Sequence, residues 1–288
     1  MVKDKNKKEP LRHTVQTLWT IVTNSFATGF LKGKIYTGPL KNMCVPGMNC
    51  YSCPGALGSC PIGALQSVIG DKNYHMAFYV VGFLMLVGAI CGRFVCGWLC
   101  PFGLFQDLLH KIPFVKKLQT FKGDRILRKL KYIILALFVV ILPMCISDAI
   151  GIGDPWFCKY ICPVGTLEGG VPLVLLNDGL RQTIGFLYTW KISILVVLVI
   201  LSVIIYRPFC KYLCPLGAIY GAFNKISAVS LHCDEGKCVS CGKCKHVCKM
   251  GVYPAEEAKS AECIRCGLCV KECPVKALDL GLKNKDSK

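Results

Sequence analysis

Twenty-one cysteines in 288 residues exceed what a packed core needs, and their spacing points to metal–thiolate chemistry. Near the C-terminus Cys238, Cys241, Cys244 and Cys248 follow the pattern C-x2-C-x2-C-x3-C, and Cys263, Cys266, Cys269 and Cys273 repeat it with Pro274 next in line. That spacing wraps thiolates around a cubane iron–sulfur cluster, and the fourth cysteine of each run ligates the cluster of the other run. The expected ligand sets are therefore Cys238, Cys241, Cys244 with Cys273, and Cys263, Cys266, Cys269 with Cys248. Zinc competes for isolated C-x2-C pairs, but a triple spacing made twice argues against it. Lys249 replaces the proline after Cys248; a cation there favours the reduced cluster.

A second motif recurs four times: Cys60-Pro-Ile-Gly, Cys100-Pro-Phe-Gly, Cys162-Pro-Val-Gly and Cys214-Pro-Leu-Gly. Three copies carry another cysteine four residues earlier, namely Cys96, Cys158 and Cys210, whereas the first has Cys50 and Cys53 upstream. Cysteine before proline predicts a helix start, with Cys at the N-cap and Pro at the first helical position, where a missing N–H costs nothing. Helix N-termini stabilise anions, and a four-thiolate cluster is one. Each C-x3-C-P pair supplies two ligands, so Cys96 and Cys100 are paired with Cys210 and Cys214 in one [4Fe–4S] site. Cys158 and Cys162 also need two partners, for which Cys53 and Cys60 are the candidates by analogy, leaving Cys44 and Cys50. Two alternatives stay open: a separate site of Cys44, Cys50, Cys53 and Cys60, or disulfides formed in an oxidising space. Cys91, Cys145 and Cys233 fit no motif. Without a C-x-x-C-H, a P-loop or a Gly-rich fingerprint, haem and nucleotide are not expected.

The elements that position these motifs read as membrane spans. The chain is 53% hydrophobic and 18% charged, against about 45–50% and about 25% in soluble domains. Ile133–Ser147 and Ile192–Tyr206 contain no charge, Met76–Gly92 is similar, and Thr14–Leu31 is uncharged but half polar. With their apolar flanks they approach the roughly 20 residues that cross a bilayer. Lys and Arg set the orientation. Five lie in Met1–His13 (Lys3, Lys5, Lys7, Lys8 and Arg12) and nine between the second and third spans, while Lys32–His75 has four and Asp148–Trp190 two. The positive-inside bias places both termini in the cytoplasm, so the first and third Cys-Pro motifs face outward and the second and fourth inward. The expectation is an α-helical, multi-pass protein of the cytoplasmic membrane. Residues 1–225 would hold four transmembrane helices in an internal 2+2 parallel repeat, with its axis near the membrane normal. Residues 226–288 would form a cytoplasmic α+β two-cluster ferredoxin-like domain. The formal charge of +18 fits this cytoplasmic bias, and no nucleic-acid partner is expected.

The segments GRFVCGWLCPFG (92–103) and RPFCKYLCPLG (207–217), followed by a tail with bacterial two-cluster ferredoxin spacing, resemble the NapH/NosR/MauN-type membrane iron–sulfur proteins. The likeness covers roughly Val81–Leu282. It implies electron transfer between the quinone pool or cytoplasmic donors and redox partners across the membrane. The outer segments CYSCPGALGSCPIGALQ and CKYICP fit that core poorly and suggest additional outer redox centres. The leading expectation is an electron-transfer subunit with four [4Fe–4S] clusters: two in the tail, one at the inner face and one at the outer. It needs no acid, base or nucleophile. About 30 Å of hydrocarbon is too long for one electron hop, so re-entrant segments or a quinone must shorten it. A quinol dehydrogenase feeding a partner reductase is one alternative; a redox-sensing regulator or metalloenzyme assembly factor is another. From Lys225 onward twelve Lys or Arg face eight Asp or Glu, which suits docking of an acidic soluble ferredoxin or flavodoxin. An extracytoplasmic redox protein, for instance a flavin-carrying one, is the partner expected on the other side, and lipid surrounds the spans.

Overall fold

The computed structural model describes residues 10–71, 77–113, 117–146 and 153–282. Lys3, Lys5, Lys7, Lys8 and Lys116, and the expected span ends at Met76 and Ser147, lie outside the described residues. The chain is mostly helical, with a small C-terminal unit carrying the ferredoxin-type motif.

Each of the four Cys-Pro motifs starts a helix. Helices open at Pro61, Pro101, Pro163 and Pro215, each preceded by its cysteine in extended conformation. Between them lie the longer apolar helices. Phe186–Ile204 is long and apolar enough to cross a membrane, whereas Phe78–Cys91 and Pro163–Leu176 are apolar but shorter. A further helix covers 130–145, with a π-helical stretch at Leu135–Ile141. Thr14–Leu31, read as a first span, is broken into two helices, Pro10–Thr23 and Ala27–Lys32. Its polar side chains explain the break. The Thr20 and Thr23 hydroxyls donate to the Gln16 and Trp19 carbonyls, the Asn24 amide donates to the Thr20 carbonyl, and the Phe26 amide turns to Gly55 of another segment.

Large apolar side chains stand exposed on these helices: Phe78, Met85 and Leu86 on one, Ile133, Ile141 and Met144 on another, Val196, Val197 and Ile200 on a third. The interior between the helices is lined by cysteines, aromatic residues and paired charges.

In the C-terminal unit the strands β1 (Val229–Cys233) and β2 (Leu278–Leu282) pair antiparallel, Val229 opposite Leu282 and Cys233 opposite Leu278. Between them run two short helices, Lys243–Val247 and Leu268–Glu272, each entered through a left-handed glycine, Gly242 or Gly267. Ser240 and Arg265, two residues earlier in each run, also have positive φ. These paired left-handed positions curl both loops in the same way.

Buried polar contacts fasten this unit to the helices. Glu262 is shared by Arg93 (2.9 Å) and Lys131, Arg265 donates to the carbonyls of Cys91 and Asn224 (both 2.9 Å), and the Trp98 indole donates to the Arg265 carbonyl (3.0 Å).

Candidate metal centres

At each Cys-Pro motif the proline has no N–H, so the glycine two residues later offers its amide to the cysteine. Gly63, Gly103, Gly165 and Gly217 donate to the sulfurs of Cys60, Cys100, Cys162 and Cys214. These are first-turn amides that lack a helical partner and carry the positive end of the peptide dipoles. They favour a thiolate over a thiol.

The motifs meet in pairs, and a glutamine marks each meeting. Gln106 lies six residues after Cys100, is fully buried, and donates its amide to Cys210 Sγ at 3.3 Å and to the Phe102 carbonyl at 3.3 Å. Its oxygen accepts the Phe209 N–H at 3.1 Å. Gln66, six residues after Cys60 and equally buried, makes the same three bonds: to Cys158 Sγ (3.3 Å), to the Ile62 carbonyl (3.2 Å), and from the Phe157 N–H (2.9 Å). The second motif thus meets the fourth as the first meets the third.

Cys96, Cys100, Cys210 and Cys214 line one small cavity of about 10 Å³. Two fully buried arginines tie the two motifs together reciprocally: Arg93 donates to the Cys210 carbonyl (2.9 Å) and Arg207 to the Cys96 carbonyl. Arg207 also grips both oxygens of Asp107 (2.7 and 2.6 Å), and Arg12 joins at 2.9 Å. Burial alone would raise the Asp107 carboxyl, but the two guanidiniums hold it well below the usual carboxylate range.

Cys50, Cys60, Cys158 and Cys162, with Cys44, line a second and larger cavity of about 560 Å³. Glycines let these thiols approach: a Cβ on Gly63 would stand 3.8 Å from Cys158 Sγ, and one on Gly165 3.5 Å from Cys50 Sγ. Burial pushes the Cys158 thiol up to about 12, with Cys60 and Cys50 adding to it. Burial and then Glu168, which accepts the Cys50 N–H at 2.7 Å, push Cys50 up to about 11. Cys53 does not line this cavity; its thiol donates to Asn24 Oδ1 at 3.6 Å. The structure therefore brings Cys50, not Cys53, together with Cys60, Cys158 and Cys162. No disulfide joins any of these cysteines.

The two cavities stand back to back. Among the described residues Met48 alone lines both. The separation of about 30 Å expected for sites at opposite membrane faces does not apply to these two.

In the C-terminal unit Cys238, Cys241, Cys244 and Cys273 line a small cavity of about 20 Å³. Cys273 accepts the Ala277 amide at 3.3 Å. Burial raises the Cys269 thiol, and Cys266, Cys263 and Cys248 raise it further, which places these four together. Cys233, outside every motif, stands beside Cys238. This second set adjoins the helices: a Cβ on Gly97, next to Cys96, would stand 2.4 Å from the Ile264 carbonyl.

The residues fit clusters better than single ions. Among the described residues no three Cys, His, Asp or Glu converge closely enough for one metal ion. The thiols instead line cavities in sets, and amides point at their sulfurs. Sequence reasoning missed Gln66, Gln106, Arg93, Arg207 and Met48. The first four were visible as repeats, since CPIGALQ matches CPFGLFQ, and Arg precedes both Cys96 and Cys210 by three residues.

Two families described as 4Fe–4S binding domains match the chain, one at residues 73–122, 132–171 and 188–231, the other at 260–279. An uncharacterised protein of Methanocaldococcus jannaschii is 30% identical over 77% of this chain and 77% of its own length. The methylamine utilization ferredoxin-type protein MauN of Methylorubrum extorquens is 27% identical over 75% and 70%. The ferredoxin-type protein NapH of Escherichia coli is 24% identical over 74% and 71%. No solved structure matches.

Proposed function

We propose that this chain, which belongs to the NapH/MauN-type family of ferredoxin-type 4Fe–4S electron transport proteins, is a membrane-embedded relay with four cluster sites in a row. The order runs from Cys238, Cys241, Cys244 and Cys273 to Cys248, Cys263, Cys266 and Cys269, then to Cys96, Cys100, Cys210 and Cys214, and last to Cys50, Cys60, Cys158 and Cys162. A [4Fe–4S] cluster bound at each site supplies one-electron chemistry and needs no proton donor or nucleophile. The observation that carries the reading is contiguity: Ile264 packs on Gly97 between the second and third sites, and Met48 lies between the third and fourth.

The protein's part is spacing and tuning. Amide hydrogen bonds to ligand sulfurs and nearby positive charge raise a cluster's potential, and nearby negative charge lowers it. The third site has Arg93, Arg207 and a glutamine; the fourth has a glutamine and the half-buried Glu168. The bonds between Glu262 and Arg93 and Lys131 keep the C-terminal unit seated against the third site.

The exposed Phe78, Met85, Ile133, Ile141, Val196 and Ile200 support a multi-pass arrangement in lipid, since apolar faces of this extent are costly in water. Cytoplasmic termini follow from the Lys and Arg bias. The exposed Cys241 lies among Lys237, Lys243 and Lys245, which supports docking of an acidic soluble ferredoxin or flavodoxin at the first site. The fourth site would then serve an extracytoplasmic redox protein. A second reading, quinol oxidation beside the fourth site, draws support from the size of its cavity, whose far side carries Tyr79, Lys41 and Lys191.

The test is sided transfer. The full chain, loaded anaerobically and placed in liposomes, is reduced from one side while an impermeant acceptor is followed on the other. Transfer without added quinone is expected; transfer only with quinone refutes the direct relay and favours the second reading.

A further inference from the structure

The segment between the third and fourth sites is Pro46-Gly47-Met48. It is held from one side by Tyr220, fully buried, whose hydroxyl donates to the Pro46 carbonyl at 3.0 Å. Gly47 lies flat on the third site, where a Cβ would stand 3.0 Å from Cys100 Cα and 3.2 Å from the Leu99 carbonyl. A side chain there would push the segment away. Met48 follows, 2% exposed. Its N–H donates to Cys100 Sγ of the third site. Its thioether accepts from Cys60 Sγ of the fourth at 3.8 Å, a bond of the free thiol that becomes a sulfur–sulfur packing contact once Cys60 is a thiolate.

One residue thus touches a ligand-bearing cysteine of each site, with its backbone on one and its side chain on the other. Gln66 and Gln106 have no such double role, since each serves one site.

We propose that Met48 is the bridge across which electrons pass between the two repeat-related sites, which therefore work as one coupled pair. One site is oxidised by one electron as the other is reduced by one; no bond is made or broken, no proton moves, and Met48 itself is neither oxidised nor reduced. Its contribution is continuous packing: the polarizable thioether fills the gap, and a void there removes the intervening atoms outright. The inference rests on the relay reading for its direction but not for the closeness of the sites.

The experiment uses the full, anaerobically loaded chain and electron paramagnetic resonance. With all sites reduced, the signals of the pair are split or broadened by spin–spin interaction. Cys158→Ser, which empties the fourth site, removes from the third-site signal the splitting due to the fourth and leaves only that due to the second. Unsplit signals in the wild type, or a third-site signal indifferent to Cys158→Ser, overturn the proposal. Electrons are then injected photochemically at the C-terminal unit and their arrival at the fourth site is timed. Met48→Ala, with iron content unchanged, slows arrival, and Met48→Leu, which refills the gap, restores it. Met48→Ala as fast as wild type overturns the bridge; if that variant loses iron, the wild-type and Cys158→Ser spectra still decide. Failure of the relay reads differently, as a coupled pair that never reduces an outside acceptor.

Discussion

Gln106→Leu removes one hydrogen bond to a ligand sulfur at one site. The wild-type amide donates to Cys210 Sγ at 3.3 Å from a fully buried position, so water cannot replace it. A hydrogen bond to a charged partner contributes about 1.5–3 kcal/mol, but a potential registers only the part gained when the cluster takes up an electron. If that part is about 1 kcal/mol, a one-electron potential moves by about 40 mV, given about 59 mV and about 1.4 kcal/mol per tenfold. Gln106→Leu is therefore expected to lower the midpoint potential of the third site by about 40 mV and leave the other three in place. Gln66→Leu is expected to do the same at the fourth site alone, through Cys158. Potentiometric titration followed by electron paramagnetic resonance reads both. Each variant also strips the acceptor from a buried amide, Phe209 or Phe157, which lowers stability without moving the potential of a loaded site. An unchanged or raised potential, or a shift shared by all four sites, refutes the reasoning.

Three further outcomes are expected. Cys50→Ser loses about four iron atoms per chain, one cubane, while Cys53→Ser keeps them, because only Cys50 faces Cys60, Cys158 and Cys162; iron analysis of the two variants decides. Asp107→Ala strands Arg207 and Arg12 as buried unpaired cations and costs about 3–5 kcal/mol, measured by denaturant unfolding in detergent. Glu262→Gln weakens the seat of the C-terminal unit on Arg93 and Lys131, so limited proteolysis between Asn224 and Val229 accelerates while the electronic signals of the two C-terminal sites persist.

The C-terminal cysteine runs were legible because their ligands are close in sequence, so spacing alone nearly determines which thiols share a site. The helix starts at Pro61, Pro101, Pro163 and Pro215 were legible for the same reason, since an N-cap is a local event. The outer group was not. Choosing between Cys50 and Cys53 depends on how Pro163–Leu176 packs against residues far away in sequence, where Gly165 makes room for Cys50 and Glu168 takes its N–H. The first expected span is not one continuous helix, because counting uncharged residues ignores hydroxyl and amide side chains that bond back to their own helix, as Thr20, Thr23 and Asn24 do. Charge bias assigns loops to membrane faces but says nothing of how deeply they fold back, so the adjacency through Met48 carried no signal in the sequence.

Iron and acid-labile sulfide, counted per chain on anaerobically purified full-length protein, test the four-site account most directly. Four cubanes require about 16 iron atoms with matching sulfide. About 12 with one helical site empty, or about 8 confined to the C-terminal unit, would mean that the cysteines meeting at Gln66 or Gln106 are not cluster ligands and that the row of sites ends short.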